Sequence, residues 1–375
     1  MALAFLVRCN TTAPPPLPVT VSGLTLSVAL LIPTTGELAT TGRTVQNGFV
    51  LAFDEINEAG GLAGRSISWR IYPTECTFDS GQQTAQQALH DQYTLLLGPV
   101  CSEAALGAAT VINDDTALMI SPAAMHPQVT DDAQGQVRPT VFTVSYSYAL
   151  QGQAAAYFID SHLDVSQAAI LYSPADAYAA ALAAPFIEQF QADGGHIIEV
   201  TYPPGTNDFS PLLSAVENSG AEVLYLPVDA NTANRVVSQL TETARVQLQL
   251  VGSDAWSTDE LDKNIMEGNF FPVHYTRLTS NSGVENWAET YKSVYAIEPD
   301  TLAALAYDTA HVLAVAIGQT NSLDADAVAH TIEQNMFEGV TGPIAFDQHH
   351  TAIKPIPFLQ IREQSLYNEA IISLP

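Results

Sequence analysis

From about Thr25 onward, short runs of β-branched and apolar residues alternate with segments whose apolar residues recur every three or four positions. This alternation constrains the fold more than any other feature of the chain. The apolar runs make strands, the longer period makes helices, and a regular succession of the two assembles into a mostly parallel sheet covered by helices. The fold class is therefore α/β. Strands are expected over 26–32, 66–72, 94–97, 117–120, 168–172, 196–200, 222–226 and 247–251. Helices are expected over 45–58, 82–92, 103–113, 149–161, 178–193, 211–219 and 231–243, with further helical segments between 283 and 335. In the first helix Val45, Phe49, Ala52, Phe53 and Ile56 share the face that packs on a sheet. Gly60 and Gly61 end it, because glycine turns left-handed without a Cβ penalty.

With 375 residues the chain exceeds what one hydrophobic core usually supports, so two domains are expected. Its 12 Lys and Arg against 40 Asp and Glu give a net charge of −28, which repels phosphate backbones and anionic membranes and argues against a nucleic-acid partner. The acidity is read as solubility, not as a sign of a cationic ligand. No uninterrupted apolar run reaches 18 residues, so no spanning helix is expected. Residues 1–8 (MALAFLVR) read like the tail of an apolar export segment without a basic start, followed by Cys9 and a Pro/Thr tether over 10–18 (NTTAPPPLP). That is the layout of a bacterial lipoprotein, although Arg8 stands where a small residue is usual. Cys9 is either a lipid anchor or a free thiol in a disordered tail.

Motifs with well-understood catalytic mechanics are missing: there is no phosphate-cradling G-x-x-x-x-G-K-[ST] loop, no H-E-x-x-H, no C-x-x-C pair and no G-x-S-x-G turn. Gly60, Gly61 and Gly64 follow a helix, whereas a dinucleotide loop follows a strand and opens one, so they read as a turn. His349 and His350 are adjacent, point different ways and have no nearby cysteine, which makes them a surface loop and a poor metal pair. No cofactor, no metal and no enzymatic activity are expected; a catalytic site assembled from distant segments stays outside the reach of motif reading.

Several stretches taken in order resemble the leucine/isoleucine/valine-binding protein family, the type I periplasmic solute-binding proteins of branched-chain amino-acid and amide ABC transporters. They are 26–36 (LSVALLIPTTG), 48–64 (GFVLAFDEINEAGGLAG), 98–103 (GPVCSE), 120–125 (ISPAAM), 222–226 followed by 252–256 (GSDAW), and 341–347 (TGPIAFD). The resemblance implies two doubly wound parallel-sheet lobes joined by three crossovers near 142–146, 271–275 and 346–350, with the ligand in the cleft between them. After a tether over 1–21, the first lobe takes 22–143 and 274–347, and the second takes 144–273 and 348–375.

The resemblance also assigns the cleft. Ser102, entering a helix after a strand, is either its N-cap or the contact for a ligand carboxylate, as in the family. Pro122 and the small residues Ala123 and Ala124, with Met125, leave a strand either as a plain turn or as backbone close to the ligand; Met125 replaces the family's usual hydroxyl residue. Asp254 stands where relatives place an acid against the ligand ammonium, or else caps a helix beginning near 258. Trp256 either stacks on ligand or is a core aromatic. Asp229, Thr41 and Leu302 occupy positions that are often aromatic in amino-acid binders; Asp229 is a second cleft acid or a solvated loop acid. Cys76 and Cys101 match the family's first-lobe disulfide, which an exported protein can form. The expected function is that of a monomeric extracytoplasmic receptor for an amino-acid-like or amide ligand, partnered by an ABC permease and touching the membrane only through Cys9. A sensor on the same lobes is the first alternative and a hydrolase with a dispersed site the second.

Overall fold

The computed structural model describes residues 25–374, apart from 63 and 113–115. Cys9 and the tether lie outside the described residues. A first sheet is built from β1 (Thr25–Ile32), β2 (Ser66–Pro73), β3 (Leu95–Leu97), β4 (Leu118–Ser121) and β5 (Val141–Thr143), all parallel, in the order β2-β1-β3-β4-β5. The interior strand β1 is buried from Val28 to Ile32, which is why its sequence reads as an unbroken apolar run and not as an alternation. Around this sheet pack α1 (Ala39–Glu58), α2 (Phe78–His90) and α3 (Ser102–Ala109). Helix α1 begins six residues before the expected start. Its Gly42 lies against Pro33, where a Cβ would overlap the proline carbonyl oxygen.

The second sheet follows with β6 (Gln167–Tyr172), β7 (His196–Thr201), β8 (Val223–Tyr225), β9 (Gln249–Val251) and β10 (Phe270–Pro272), wrapped by α4 (Tyr148–Tyr157), α5 (Ala177–Ala192), α6 (Ser210–Glu217), α7 (Ala230–Ser238) and α8 (Glu242–Gln247). The single helix expected over 231–243 is two, because Thr241 caps a new one by accepting the Ala244 amide. Helix α4 runs on into a π-helical turn over Phe158–His162.

The chain then returns to the first lobe. Helices α9 (Ser282–Tyr295), α10 (Thr301–Thr320) and α11 (Ala325–Gln334) precede a small antiparallel sheet of β11 (Phe337–Gly339), β12 (Gly342–Phe346) and β13 (Ala352–Ile353). Among the described residues α10 is the one helix long and apolar enough to cross a membrane. It is a core helix: Leu305, Ala306, Ala310 and Leu313 pack with Phe49 and Phe53 of α1.

Finally β14 (Ile356–Arg362) and β15 (Ser365–Ile372) add an antiparallel edge to the second sheet, in the order β15-β14-β10-β9-β8-β6-β7. This lobe is thus not purely parallel. The two-residue hairpin turn uses Glu363 and Gln364 at φ 51° and 60°, a left-handed pair usually filled by Asn and Gly.

Two further expectations are corrected here. β13 pairs with β12 in the small antiparallel sheet and Ala352 packs into the first core, so the chain turns to the second sheet only after Ile353, at Lys354 and Pro355. The histidine pair is not a surface loop throughout. His350 is buried, its ring stacked 4.1 Å from that of Phe142, with Nε2 3.0 Å from Glu333 and Nδ1 3.1 Å from the carbonyl of Arg138. His349 is exposed and pairs with Asp131 at 3.0 Å.

Candidate ligand cleft

The C-terminal ends of parallel strands leave loops free to meet a ligand, and in both lobes the singled-out residues stand there. In the first lobe β3 leads through a cis Gly98–Pro99 bond into α3. The N-cap of α3 is Cys101, extended and without a side-chain cap; Ser102 is the first helical residue. Ser102 therefore does not cap. Its hydroxyl accepts the Met125 amide at 3.1 Å, and it lies near the Tyr148 side chain from the opposite lobe. Cys101 is joined to Cys76, with Cα atoms 5.4 Å apart, so the start of this helix is crosslinked to the loop that precedes α2.

The loop after β4 is fixed by hydroxyls. Ser121 donates to the Pro99 carbonyl at 2.6 Å and accepts the Ala124 amide at 3.1 Å. The Ala124 carbonyl receives Thr143 at 2.5 Å and Ser145 at 2.9 Å. Ala124 is fully buried with both backbone groups engaged, which makes it framework and not the ligand contact expected of it. Met125 has given its amide to Ser102, and its side chain joins the second-lobe cluster with Tyr146 and Phe158. Ala123 is half-buried and packs against the first-lobe core.

In the second lobe the acid after β9 organises everything near it. Asp254 Oδ1 accepts hydrogen bonds from Gln151 Nε2 at 2.8 Å and the Tyr178 hydroxyl at 2.5 Å, while Gln151 Oε1 accepts the Asp254 amide at 3.0 Å. His274 Nε2 lies 3.5 Å from Oδ2, and its ring stacks on Tyr146 at 3.6 Å. Burial pushes the Asp254 pKa up, but the donors from His274, Tyr178 and Gln151 outweigh it and hold the carboxyl below its ordinary range. Burial pushes the His274 pKa down, opposed in part by Asp254. Hence the cleft acid is ionised, is met by polar donors with no lysine or arginine among the described residues paired to it, and keeps a side chain 20% exposed. The Tyr146 and Tyr225 hydroxyls, raised by burial and then by Asp254, find no hydrogen-bond partner among the described residues.

The remaining candidates sort differently. Trp256 is fully buried, donates Nε1 to the Val228 carbonyl at 3.1 Å and fills the space that a Cβ on Gly252 would take; it is a core aromatic, not a stacking platform. Asp229 is exposed and is the N-cap of α7, Oδ1 accepting the Thr232 amide at 2.9 Å and Oδ2 the Thr232 hydroxyl at 2.6 Å. Thr41 and Leu302 stand half-buried in the opening turns of α1 and α10. Sequence reading missed Gln151, Tyr178, His274 and Tyr148. The available signal was position: Tyr178 opens the helix that follows the end of β6.

Two α/β lobes, each turning the C-terminal ends of its parallel strands and its polar loops toward the other, define a two-lobed binding protein. The periplasmic binding protein family matches over residues 25–365, and the chain belongs to that family, whose members are solute-binding proteins. Among curated proteins it is 24% identical to the leucine-, isoleucine-, valine-, threonine- and alanine-binding protein of Pseudomonas aeruginosa over 333 residues, 86% of each chain. It is also 24% identical to Leu/Ile/Val-binding protein homolog 3 of Brucella melitensis, over 80% of this chain and 81% of that one. Among solved structures it is similar to the leucine binding protein LivK of Thermotoga maritima, with TM-score 0.74 and 25% identity over 93% of this chain and 99% of that one. The fold is shared at TM-score 0.74 by a solute binding protein from Rhodopseudomonas palustris in complex with 3,4-dihydroxy benzoic acid, 21% identical over 93% of this chain and 97% of that one.

Proposed function

We propose that this chain captures a small amino acid or close analogue between its lobes, outside the cytoplasm, and delivers it to an ABC transporter permease. The observation that carries this reading is the state of Asp254: a mostly buried carboxylate kept ionised by His274, Tyr178 and Gln151, with no lysine or arginine paired to it among the described residues. Such a charge is completed by a ligand ammonium. On the first lobe, the start of α3 at Ser102 suits a carboxylate, since a helix N-terminus offers amide donors and positive potential. Small side chains at Thr41 and Leu302 leave room for an aliphatic group. The first lobe comprises 25–143 with 274–353 and the second 144–273 with 356–374, and the lobes close as rigid bodies. Relatives named for leucine, isoleucine and valine binding support the ligand class. The Cys76–Cys101 bond suits an oxidising compartment, and Cys9 is the residue that would carry a lipid anchor.

A thermal-shift screen with aliphatic amino acids, polyamines, ureas and aromatic acids tests the reading. A ligand at a hundredfold excess over its Kd stabilises the native state by about 2.7 kcal/mol. The reading expects molecules carrying both an ammonium and a carboxylate to raise the Tm. It is contradicted by aromatic acids without an amine raising the Tm while every amino acid leaves it unchanged.

A further inference from the structure

Behind Asp254, where the second and third crossovers run side by side, lies a cavity of about 360 Å³ that the ligand cleft does not account for. Its walls come from His274 and Tyr275 of the second crossover, Pro355 and Pro357 around the third, Val284 of α9 and Ile371 of β15. Leu278 and Ile371, 42% and 52% exposed, leave apolar surface at its edge.

Buried polar atoms are ordinarily hydrogen-bonded, and leaving one unpaired costs about 1–3 kcal/mol. Three residues lining this one cavity each carry such an atom without a partner: His274 Nδ1, the Tyr275 hydroxyl and Asn368 Oδ1. His274 and Tyr275 are themselves more than nine-tenths buried. Because His274 Nε2 faces the Asp254 carboxylate, the ring proton belongs on Nε2, and Nδ1 is left as a lone-pair acceptor. Asn368 Oδ1 is a second acceptor, and the Tyr275 hydroxyl works either way. This set calls for a ligand that brings N–H or O–H donors and at most one acceptor. A carboxylate is refused by the two acceptors. An ammonium is disfavoured by the buried Lys354, whose Nζ lies 2.8 Å from the hydroxyl of Thr341, another lining residue. Pro343, Pro355, Pro357, Leu278, Val284 and Ile371 offer an apolar bed for an aliphatic body.

We propose that the hinge holds a second small-molecule site, which takes a neutral aliphatic amide or alcohol and shares His274 with the cleft acid. Its occupant would touch two of the three connections between the lobes, whatever ligand the cleft itself takes.

The test uses the full chain and isovaleramide and 3-methylbutan-1-ol as probes, with isovalerate and isoamylamine as charged controls, followed by NMR titration to millimolar concentration. Saturable binding of the neutral probes is expected, with the charged controls at least tenfold weaker. Asn368→Leu should weaken the amide about tenfold. Ser280→Trp, at an exposed lining position, should abolish binding by filling the cavity. No saturable binding, which would mean that water alone satisfies these atoms, overturns the proposal, and so does binding that survives Ser280→Trp. Isoleucine titrated into the same proteins reports on the cleft separately: a normal isoleucine response beside a silent amide response sinks the hinge site and leaves the cleft reading intact, and the reverse pattern does the opposite.

Discussion

A carboxylate buried as deeply as Asp254 would take up a proton if burial acted alone. Its neighbours decide otherwise, and they come from positions 151, 178 and 274, brought together only by the fold. The acid itself was legible, because it follows a strand at a family position; its partners were not, because nothing local in the sequence ties a glutamine in α4 to a turn a hundred residues later. Asp229 and Trp256 mislead for a related reason. Both types serve caps and cores as readily as clefts, and here Thr232 and the Val228 carbonyl claim them. Lys354 gives the residue scale its pH test. Burial pulls its pKa from the ordinary 10.5 to about 8, only partly countered by Asp308. Between pH 8 and 10.5 the unfolded chain therefore holds more protons on this group than the folded one, so this group's contribution to stability rises with pH across that window. Replacing Lys354 by Met should remove the rise. Denaturant titrations of both proteins at pH 7.5, 9 and 10 check it: the wild type should gain on Lys354→Met as the pH increases, and a constant gap contradicts the assignment.

Among the elements, the α2–α3 pair shows how much the position of Ser102 depends on packing that carries no polar chemistry. Gly81 of α2 lies on the backbone of Ala104, and Gly107 of α3 on the backbone of Phe78, each at a distance where a Cβ would overlap a carbonyl oxygen. With the Cys76–Cys101 bridge, these contacts fix the angle at which α3 presents its N-terminus. Gly107→Ala should destabilise by about 1–3 kcal/mol through overpacking, measured by urea unfolding, whereas Gly60→Ala, in open space beyond α1, should be affected only by its φ of 107°. A Gly107→Ala protein as stable as the wild type would mean that the helices are not in this contact. Most strands and helices were legible from period alone, because burial on one face or two writes itself directly into apolar spacing. The β14–β15 hairpin was not, since Glu363 and Gln364 occupy the turn that Asn and Gly usually announce. The third crossover was displaced for a similar reason: β13 is two residues long, too short to show a period.

For the whole molecule, the division into two lobes follows from size and alternation, but the cleft exists only because three connections return the chain between sheets. Met125 of the first lobe already packs into the second-lobe core across that divide. The account stands on one claim, that Asp254 reads the ammonium of a ligand enclosed there. Asp254→Asn preserves the shape and the bonds from Gln151 and Tyr178 while removing the charge. Isothermal titration calorimetry of this variant beside the wild type, with the amino acid that the thermal screen selects, tests the claim most directly. A buried ammonium left without its partner should lose about 2–5 kcal/mol of binding free energy. An Asp254→Asn protein that binds the same ligand with unchanged affinity would place the acid outside the site and contradict the account.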